Sequence, residues 1–156
     1  MFEKKLSGQE VKRWPGKIPV SYIYTTGVTG QRFFKEIKEK CIILGTECPK
    51  CRLVYLPPRL YCERCFRKLD RWKKIPSKGT VYSYTVTHVD MNGKPTVTPN
   101  LMALITFKGF HGGLIHKIGE VAPEEVKIGM TVKPVFEDKN KRHGSILDIK
   151  HFCPAR

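Results

Sequence analysis

The chain has 156 residues, of which 40% are apolar, and carries 29 Lys and Arg against 14 Asp and Glu, a formal net charge of +15. This length suits a single core, or one compact domain with a small accessory unit. The longest apolar run, LMALITF, is far shorter than the roughly 20 residues that cross a bilayer. No apolar stretch follows the charged N-terminus, so we expect no signal peptide and no membrane association, and a cytoplasmic location.

The positive charge is concentrated in one segment. Residues 48–78 contain ten Lys or Arg and two Asp or Glu, whereas the segments on either side are closer to balance. A surface of this kind favours a negatively charged partner, which could be nucleic acid, the phosphates of a nucleotide-like cofactor or an acidic protein face. A basic surface that is simply solvated is the alternative.

Residues 1–40 are expected to form an extended arm followed by a short helix. Pro15 and Pro19 exclude a helix from the apolar stretch RWPGKIPVSYIY, which should lie along its own domain or on a partner. The segment TGQRFFKEIKEKC predicts a helix with Thr29 as its N-cap. The apolar face of this helix comprises Phe33, Phe34, Ile37 and Cys41.

Residues 41–76 contain two Cys-x-x-Cys pairs, Cys48 with Cys51 and Cys62 with Cys65. Two intervening residues let each pair aim both sulfurs at one ion, and the ten residues between the pairs, RLVYLPPRLY, should form a hairpin. Four thiolates with no open position predict a structural zinc, and iron remains possible. Two disulfides or a redox dithiol are weaker alternatives in a reducing compartment.

The two remaining cysteines, Cys41 and Cys153, are expected to be buried free thiols.

Residues 77–156 show the pattern of a small barrel. Five segments rich in β-branched and aromatic residues alternate with turn sequences, and a helical turn is expected near PEEV. This order is typical of a five-stranded OB-fold, although an SH3-like barrel or a small sandwich fits the same pattern. Pro134 lies within one strand, so that strand should be an edge strand or carry a bulge.

Residues with other chemistry do not assemble into a recognisable active site. His111, His116 and Lys117 could meet an anionic ligand, but isolated histidines are rarely catalytic, and His88 is equally isolated. No phosphate-binding loop, nucleophile elbow or paired-carboxylate motif occurs. Tyr82 and Tyr84 could stack on single-stranded nucleic acid, yet part of their strand must line the barrel and the charge lies elsewhere.

Four motifs in order resemble a known family. They are RFFKEIKEKCIILGTECPKC, the ribbon with PPR, KGTVYSYTVTHV and VKIGMTVKPVFED, and the resemblance extends from about Tyr24 to Phe152. The chain resembles the zinc-ribbon and OB-fold proteins that associate with acyl-CoA enzymes.

This resemblance implies a mainly β protein: an arm and short helix, a rubredoxin-like zinc ribbon and a C-terminal five-stranded OB-fold barrel. It identifies Cys48, Cys51, Cys62 and Cys65 as ligands of a structural zinc, whereas catalytic residues are not expected and no CoA-binding residue carries over. Pro58 and Arg59 match the family's ribbon turn, while Arg52 stands where glycine is usual.

The function implied is a non-catalytic scaffold that bridges acetyl-CoA acetyltransferase, a thiolase, and hydroxymethylglutaryl-CoA synthase in the mevalonate route to isoprenoids. CoA or acyl-CoA are further possible ligands of such a subunit. A single-stranded nucleic-acid-binding protein is the alternative function.

Overall fold

The computed structural model describes residues 23–90 and 92–155. The predicted arm, up to residue 22, lies outside the described residues. Within the part described, no helix is long and apolar enough to span a membrane.

Helix α1 spans Gly27–Lys40 and buries Phe33 and Ile37, which lie one turn apart on the same face. It begins earlier than predicted, because Thr26 rather than Thr29 is the N-cap residue, and Thr29 is buried in the first turn. Both threonines precede the same apolar pattern, so the pattern alone could not choose between them.

Cys41 lies outside this helix, which corrects its predicted place on the apolar face. It adopts a left-handed backbone conformation with φ 55°, and its N–H donates to the Ile37 carbonyl oxygen at 3.1 Å. A left-handed residue at this position ends a helix by turning the chain away from the axis. The Cys41 thiol is therefore only half-buried, and Arg142 Nη1 lies 3.0 Å from its sulfur.

The ribbon is a three-stranded antiparallel sheet in the order β3-β1-β2, formed by β1 (Leu44–Cys48), β2 (Leu53–Leu56) and β3 (Arg71–Lys74). Its hairpin joins β1 to β2 around the first cysteine pair. The prediction that RLVYLPPRLY itself forms a hairpin is therefore wrong. This segment contributes β2 and then leaves the ladder at Pro57 and Pro58, which have no amide hydrogen to donate.

Five further strands form the barrel: β4 (Gly79–Val89), β5 (Pro95–Thr106), β6 (His111–Lys117), β7 (Thr131–Phe136) and β8 (Ile149–Pro154). Antiparallel pairing links β6, β5, β4, β7 and β8 in that order. A parallel bridge between Ile118 and Phe152 connects the two end strands. This arrangement confirms the predicted OB-fold, and the predicted helical turn is a 3₁₀ turn at Pro123–Glu125.

The irregularity predicted at Pro134 is also confirmed. Strand β7 pairs with β4 only through Thr131 and Val132, so Pro134 faces no partner on that side. The register between β7 and β8 shifts immediately afterwards, between Val135 and Phe136. A residue without an amide hydrogen is tolerated at such a place.

The helix, the ribbon and the barrel share one hydrophobic core. Phe33 of α1, Leu56 of β2 and Val81 of β4 belong to the same cluster of buried residues. A second, smaller cluster surrounds the cysteines and includes Tyr55 and Leu69. Burial against the barrel therefore stabilises α1 and the inner end of the ribbon, whereas the outer end depends on the cysteine cluster.

The ribbon and the barrel also join through the backbone. Strands β2 and β6 pair in parallel, with Tyr55 opposite His111 and Leu56 opposite Gly112, so all eight strands form one continuous sheet. Gly112 has φ 91°, and a Cβ atom there would overlap the Leu56 carbonyl oxygen. The close approach of the two strands therefore requires glycine at this position.

Candidate metal centre

The structure brings the four cysteines of the two pairs together. Cys48 ends β1, Cys51 lies in the turn before β2, and Cys62 and Cys65 lie in the turn that precedes β3. Their Sγ atoms all lie within 4.8 Å of one another, and those of Cys48 and Cys65 are 3.6 Å apart. A tetrahedral ion with metal–sulfur bonds of about 2.3 Å places its ligands about 3.8 Å apart. The cluster therefore has the dimensions that a single tetrahedral ion needs.

The same distances argue against the disulfide alternative. A sulfur–sulfur separation of 3.6 Å between Cys48 and Cys65 is well beyond the bond length of about 2.05 Å. All six cysteines are free in the described chain.

A tight turn carries each cysteine pair. The residues that follow the second cysteines, Arg52 and Phe66, have left-handed backbones with φ 57° and φ 55°. Arg52 thus adopts the conformation for which glycine is usual at this place, at a cost of about 1 kcal/mol for a residue with a Cβ atom. In the first turn, the Cys51 N–H points at Cys48 Sγ across 3.4 Å, a contact that supports a negatively charged sulfur.

Tyr55 is a contact of the cluster that sequence reasoning missed. Its hydroxyl lies 3.2 Å from Cys62 Sγ, and this hydrogen bond lowers the pKa of Cys62 to about 6. The same hydrogen bond raises the pKa of Tyr55 to about 12, so the hydroxyl keeps the proton and donates to the thiolate. The hydrogen bond with Cys65 raises the pKa of Cys51 to about 12. Cys62 therefore forms the metal-binding thiolate more readily than Cys51 does.

Tyr55 also links the cluster to the barrel. Its ring meets the His111 ring edge-on at 5.8 Å, and the Arg59 guanidinium lies 5.0 Å from the ring centre. Glu63 pairs with Arg59 and lies 3.4 Å from His111 Nε2. The only sequence signal for Tyr55 was its place in a strand between the two cysteine pairs.

Thr46 is hydrogen-bonded to the loop between the two cysteine pairs. Its side chain is completely buried, and its Oγ1 accepts the Arg59 N–H at 2.8 Å while donating to the Arg59 carbonyl oxygen at 3.0 Å. One hydroxyl therefore satisfies both backbone groups of Arg59. The amino-acid sequence contains no signal for this contact, because the two residues are thirteen positions apart.

The histidines considered as ligand-binding residues lie in different places in the structure. His116 is 6% exposed, faces the barrel interior beside Phe152, and has Nε2 3.3 Å from the Ile146 carbonyl oxygen. Burial lowers the pKa of His116, so it is held as the neutral imidazole. His111 lies instead at the start of the same strand, against the ribbon, and His88 is exposed on β4.

Cys153 is buried, as predicted, but it does not belong to the main cluster of core residues that contains Phe152. It lines an open cleft of about 410 Å³ together with Glu120 and Lys133. His151, two residues earlier, pairs with Glu120 at 2.9 Å.

The two strands nearest the expected stacking residues contain no lysine or arginine side chain. Tyr82 and Tyr84 are both exposed on β4, whereas Val81 is buried in the barrel. Strands β4 and β5 contain no Lys or Arg. A groove that follows a nucleic-acid backbone needs such residues, which β4 and β5 themselves do not supply; the adjacent strand β6 contributes Lys117, opposite Met102 of β5.

Comparison with known proteins identifies both parts of the molecule. Residues 42–70 match the family described as the rubredoxin-like zinc ribbon domain of ChsH2, and residues 72–137 match the C-terminal OB-fold domain of ChsH2. Among curated proteins, a DUF35 domain-containing scaffold protein from Methanocaldococcus jannaschii is 36% identical over 107 residues, covering 67% of this chain and 74% of that protein. A protein of the same description from Methanothermobacter thermautotrophicus is 27% identical over 108 residues, covering 67% and 79%.

Two solved structures share the fold. A DUF35-family protein of unknown function from Sulfolobus solfataricus has 33% sequence identity and a TM-score of 0.61, covering 70% of this chain and 78% of that chain. A structure described as Ltp2-ChsH2(DUF35) aldolase has 22% identity and a TM-score of 0.59, covering 81% and 94%. The second similarity concerns the fold alone.

Proposed function

This chain belongs to the family of DUF35 domain-containing scaffold proteins, and from that membership we propose that it is a non-catalytic scaffold subunit of a cytoplasmic enzyme complex that handles acyl-CoA. The observation that carries the proposal is the 36% identity to the M. jannaschii scaffold protein, which extends over 74% of that protein. The ribbon and the barrel follow one another here as in the matched domain families.

Cys48, Cys51, Cys62 and Cys65 hold a structural zinc ion in this proposal. Support comes from their mutual Sγ distances, all within 4.8 Å, and from the match of residues 42–70 to a zinc ribbon. When four cysteines fill the coordination shell, no position remains for substrate or water, so the ion would stabilise the ribbon and take no part in a reaction.

The partners proposed are acetyl-CoA acetyltransferase, a thiolase, and hydroxymethylglutaryl-CoA synthase. Condensation of two acetyl-CoA molecules by a thiolase is unfavourable, so direct transfer of acetoacetyl-CoA to the synthase would draw the reaction forward. A subunit that binds both enzymes would support this transfer without contributing a catalytic group. The fold relative named as an aldolase with a DUF35 chain is consistent with an enzyme as partner.

Native affinity isolation of the tagged full-length chain tests the proposal. We expect a thiolase-type subunit and the synthase to be recovered together and identified by mass spectrometry. The Cys62→Ser variant is the control, because loss of the ribbon should reduce recovery of both enzymes. Recovery of nucleic acid without any acyl-CoA enzyme would contradict the proposal.

A further inference from the structure

Exposed basic and aromatic side chains beside the four cysteines form a surface, which we call the ribbon tip. Its members are Lys50, Arg52, Arg64, Phe66 and Arg67, all of them exposed. Tyr61 and Glu63, on either side of Cys62, are exposed next to it. Because the four Sγ atoms lie within 4.8 Å of one another, the residues next to them in the chain surround a single point. The ribbon tip is thus a compact surface built from two separate turns.

The aromatic side chain of Phe66 is exposed to solvent, on a turn whose backbone is hydrogen-bonded. It is 79% exposed, and its backbone is left-handed with φ 55°. Its N–H donates to the Cys62 carbonyl oxygen at 2.9 Å, and the Cys62 N–H donates to the Arg67 carbonyl oxygen at 2.9 Å. An exposed aromatic side chain on a rigid turn loses little conformational freedom on binding, which is the property of an interface anchor.

The positive charge around Phe66 is only partly neutralised within the described chain, since four thiolates around a divalent zinc would contribute a net charge of −2. All ten Lys and Arg of residues 48–78 are exposed, and of these only Arg59 has an ion-pair partner among the described residues. Glu63, which provides that partner, is also shared with His111. The remaining positive charges favour an acidic partner surface.

The shape and composition of this surface favour a protein over a nucleic acid. Single-stranded nucleic acid needs a run of stacking rings along a basic groove, whereas in the described chain only two exposed rings, Tyr61 and Phe66, lie beside the cysteines. The exposed tyrosines of β4 lie on strands without Lys or Arg. Arginine together with an aromatic ring is, by contrast, the composition enriched at the centre of protein interfaces.

We propose that the ribbon tip docks on an acidic face of an enzyme partner of this scaffold, with Phe66 in an apolar pocket and Arg52, Arg64 and Arg67 against carboxylates around it. This inference rests on the proposed scaffold function and adds which surface of the chain makes the contact.

The test measures binding of zinc-loaded, full-length variants to the enzyme subunit recovered in the native isolation and expressed on its own. Phe66→Asn removes the ring and retains a residue that tolerates the left-handed backbone, so the turn should stay folded. Phe66→Ala and the double variant Arg64→Glu/Arg67→Glu complete the set. Matched controls are Ile128→Ala and Lys127→Glu, which change an exposed apolar and an exposed basic residue on the barrel.

We expect each ribbon-tip variant to weaken binding by about tenfold or more, and the two controls to stay within about twofold of wild type. Wild-type binding should weaken as salt is raised, and the double variant should lose most of that salt dependence. A photo-crosslinking phenylalanine analogue at position 66 should attach to a partner peptide containing Asp or Glu. Zinc content and thermal unfolding establish that each variant is folded.

Three outcomes would contradict the inference, and they can be told apart. If wild type binds the enzyme and the ribbon-tip variants bind equally well, the inference is wrong and the scaffold function stands. If wild type recovers no acyl-CoA enzyme, both the inference and the proposed scaffold function are wrong. If the variants lose binding to a single-stranded RNA oligonucleotide at physiological salt but keep the enzyme, the ribbon tip is a nucleic-acid surface and the inference is overturned.

Discussion

Replacing Thr46 by Val should destabilise the ribbon although the two side chains have almost the same shape. In the structure, the buried Thr46 hydroxyl accepts the Arg59 N–H at 2.8 Å and donates to the Arg59 carbonyl oxygen at 3.0 Å. Valine would leave both backbone groups without this partner. Each lost hydrogen bond costs about 1 kcal/mol or more when the remaining group is partly buried, so we expect a loss of about 2 kcal/mol.

The Thr46→Ser variant is the matched control. Serine keeps the hydroxyl and removes one methyl group, which should cost about 1 kcal/mol through lost packing. The expected order of stability is therefore wild type, then Thr46→Ser, then Thr46→Val. If Thr46 contributed only packing, Val would be the milder substitution.

Urea unfolding in excess zinc measures these differences through the fluorescence of Trp72, which lies opposite Thr46 in the sheet. The chain has two tryptophans, so the experiment is done in a Trp14→Phe background. If the four cysteines bind zinc as proposed, zinc binding and ribbon folding are coupled, and a loss of about 2 kcal/mol should lower zinc affinity roughly thirtyfold in a chelator competition. A Val variant as stable as wild type, with unchanged zinc affinity, would refute the role given to the Arg59 contacts.

Three further predictions concern the metal, pH and the junction between ribbon and barrel. Cys62→Ser, or treatment with a strong chelator, should abolish binding of one zinc equivalent and open the ribbon to proteolysis while the barrel stays folded; a protected ribbon without metal would contradict the structural role. Burial holds the pKa of His116 below the value of about 6.5 that it has in an unfolded chain, so the stability it contributes is present above that pH and is lost as pH falls through the lowered pKa. The free energy of unfolding of a His116→Gln variant should therefore fall less steeply than that of wild type between about pH 7 and pH 5. Equal slopes for the two proteins would count against this. Gly112→Ala should cost several kcal/mol, because its Cβ atom would overlap the Leu56 carbonyl oxygen at a left-handed position, and an unchanged Tm would show that the two strands can separate freely.

Local patterns predicted much of this molecule. The two Cys-x-x-Cys pairs indicated a four-sulfur cluster because two intervening residues restrict where each pair can point, and the four Sγ atoms do converge. The β-branched segments after Gly79 indicated five strands for the same reason, since strand formation depends on side chains close in the chain. The start of α1 was misplaced by a few residues because Thr26 and Thr29 precede the same apolar pattern, and the helix begins after Thr26 without a side-chain cap hydrogen bond.

Contacts between distant segments could not be predicted in this way. The parallel pairing of Tyr55 and Leu56 with β6 depends on the final placement of two units that are separate in the chain. The hydrogen bonds of Tyr55 to Cys62 and of Thr46 to Arg59 depend instead on how the ribbon itself folds. Such contacts leave no periodic signal, because a single Thr or Tyr in a strand is equally compatible with several surroundings.

The continuous sheet that joins ribbon and barrel has a consequence for any assembly built on this chain. Since β2 and β6 exchange backbone hydrogen bonds, the outer turns of the ribbon stand at a constant distance and angle from the barrel, unlike two modules on a flexible tether. Two enzymes bound at opposite ends would then face each other in one orientation, and capture of the first would raise the local concentration at which the second meets it. Breaking the pairing of β2 with β6, for example by Gly112→Ala, would remove that geometric advantage while leaving each binding surface intact.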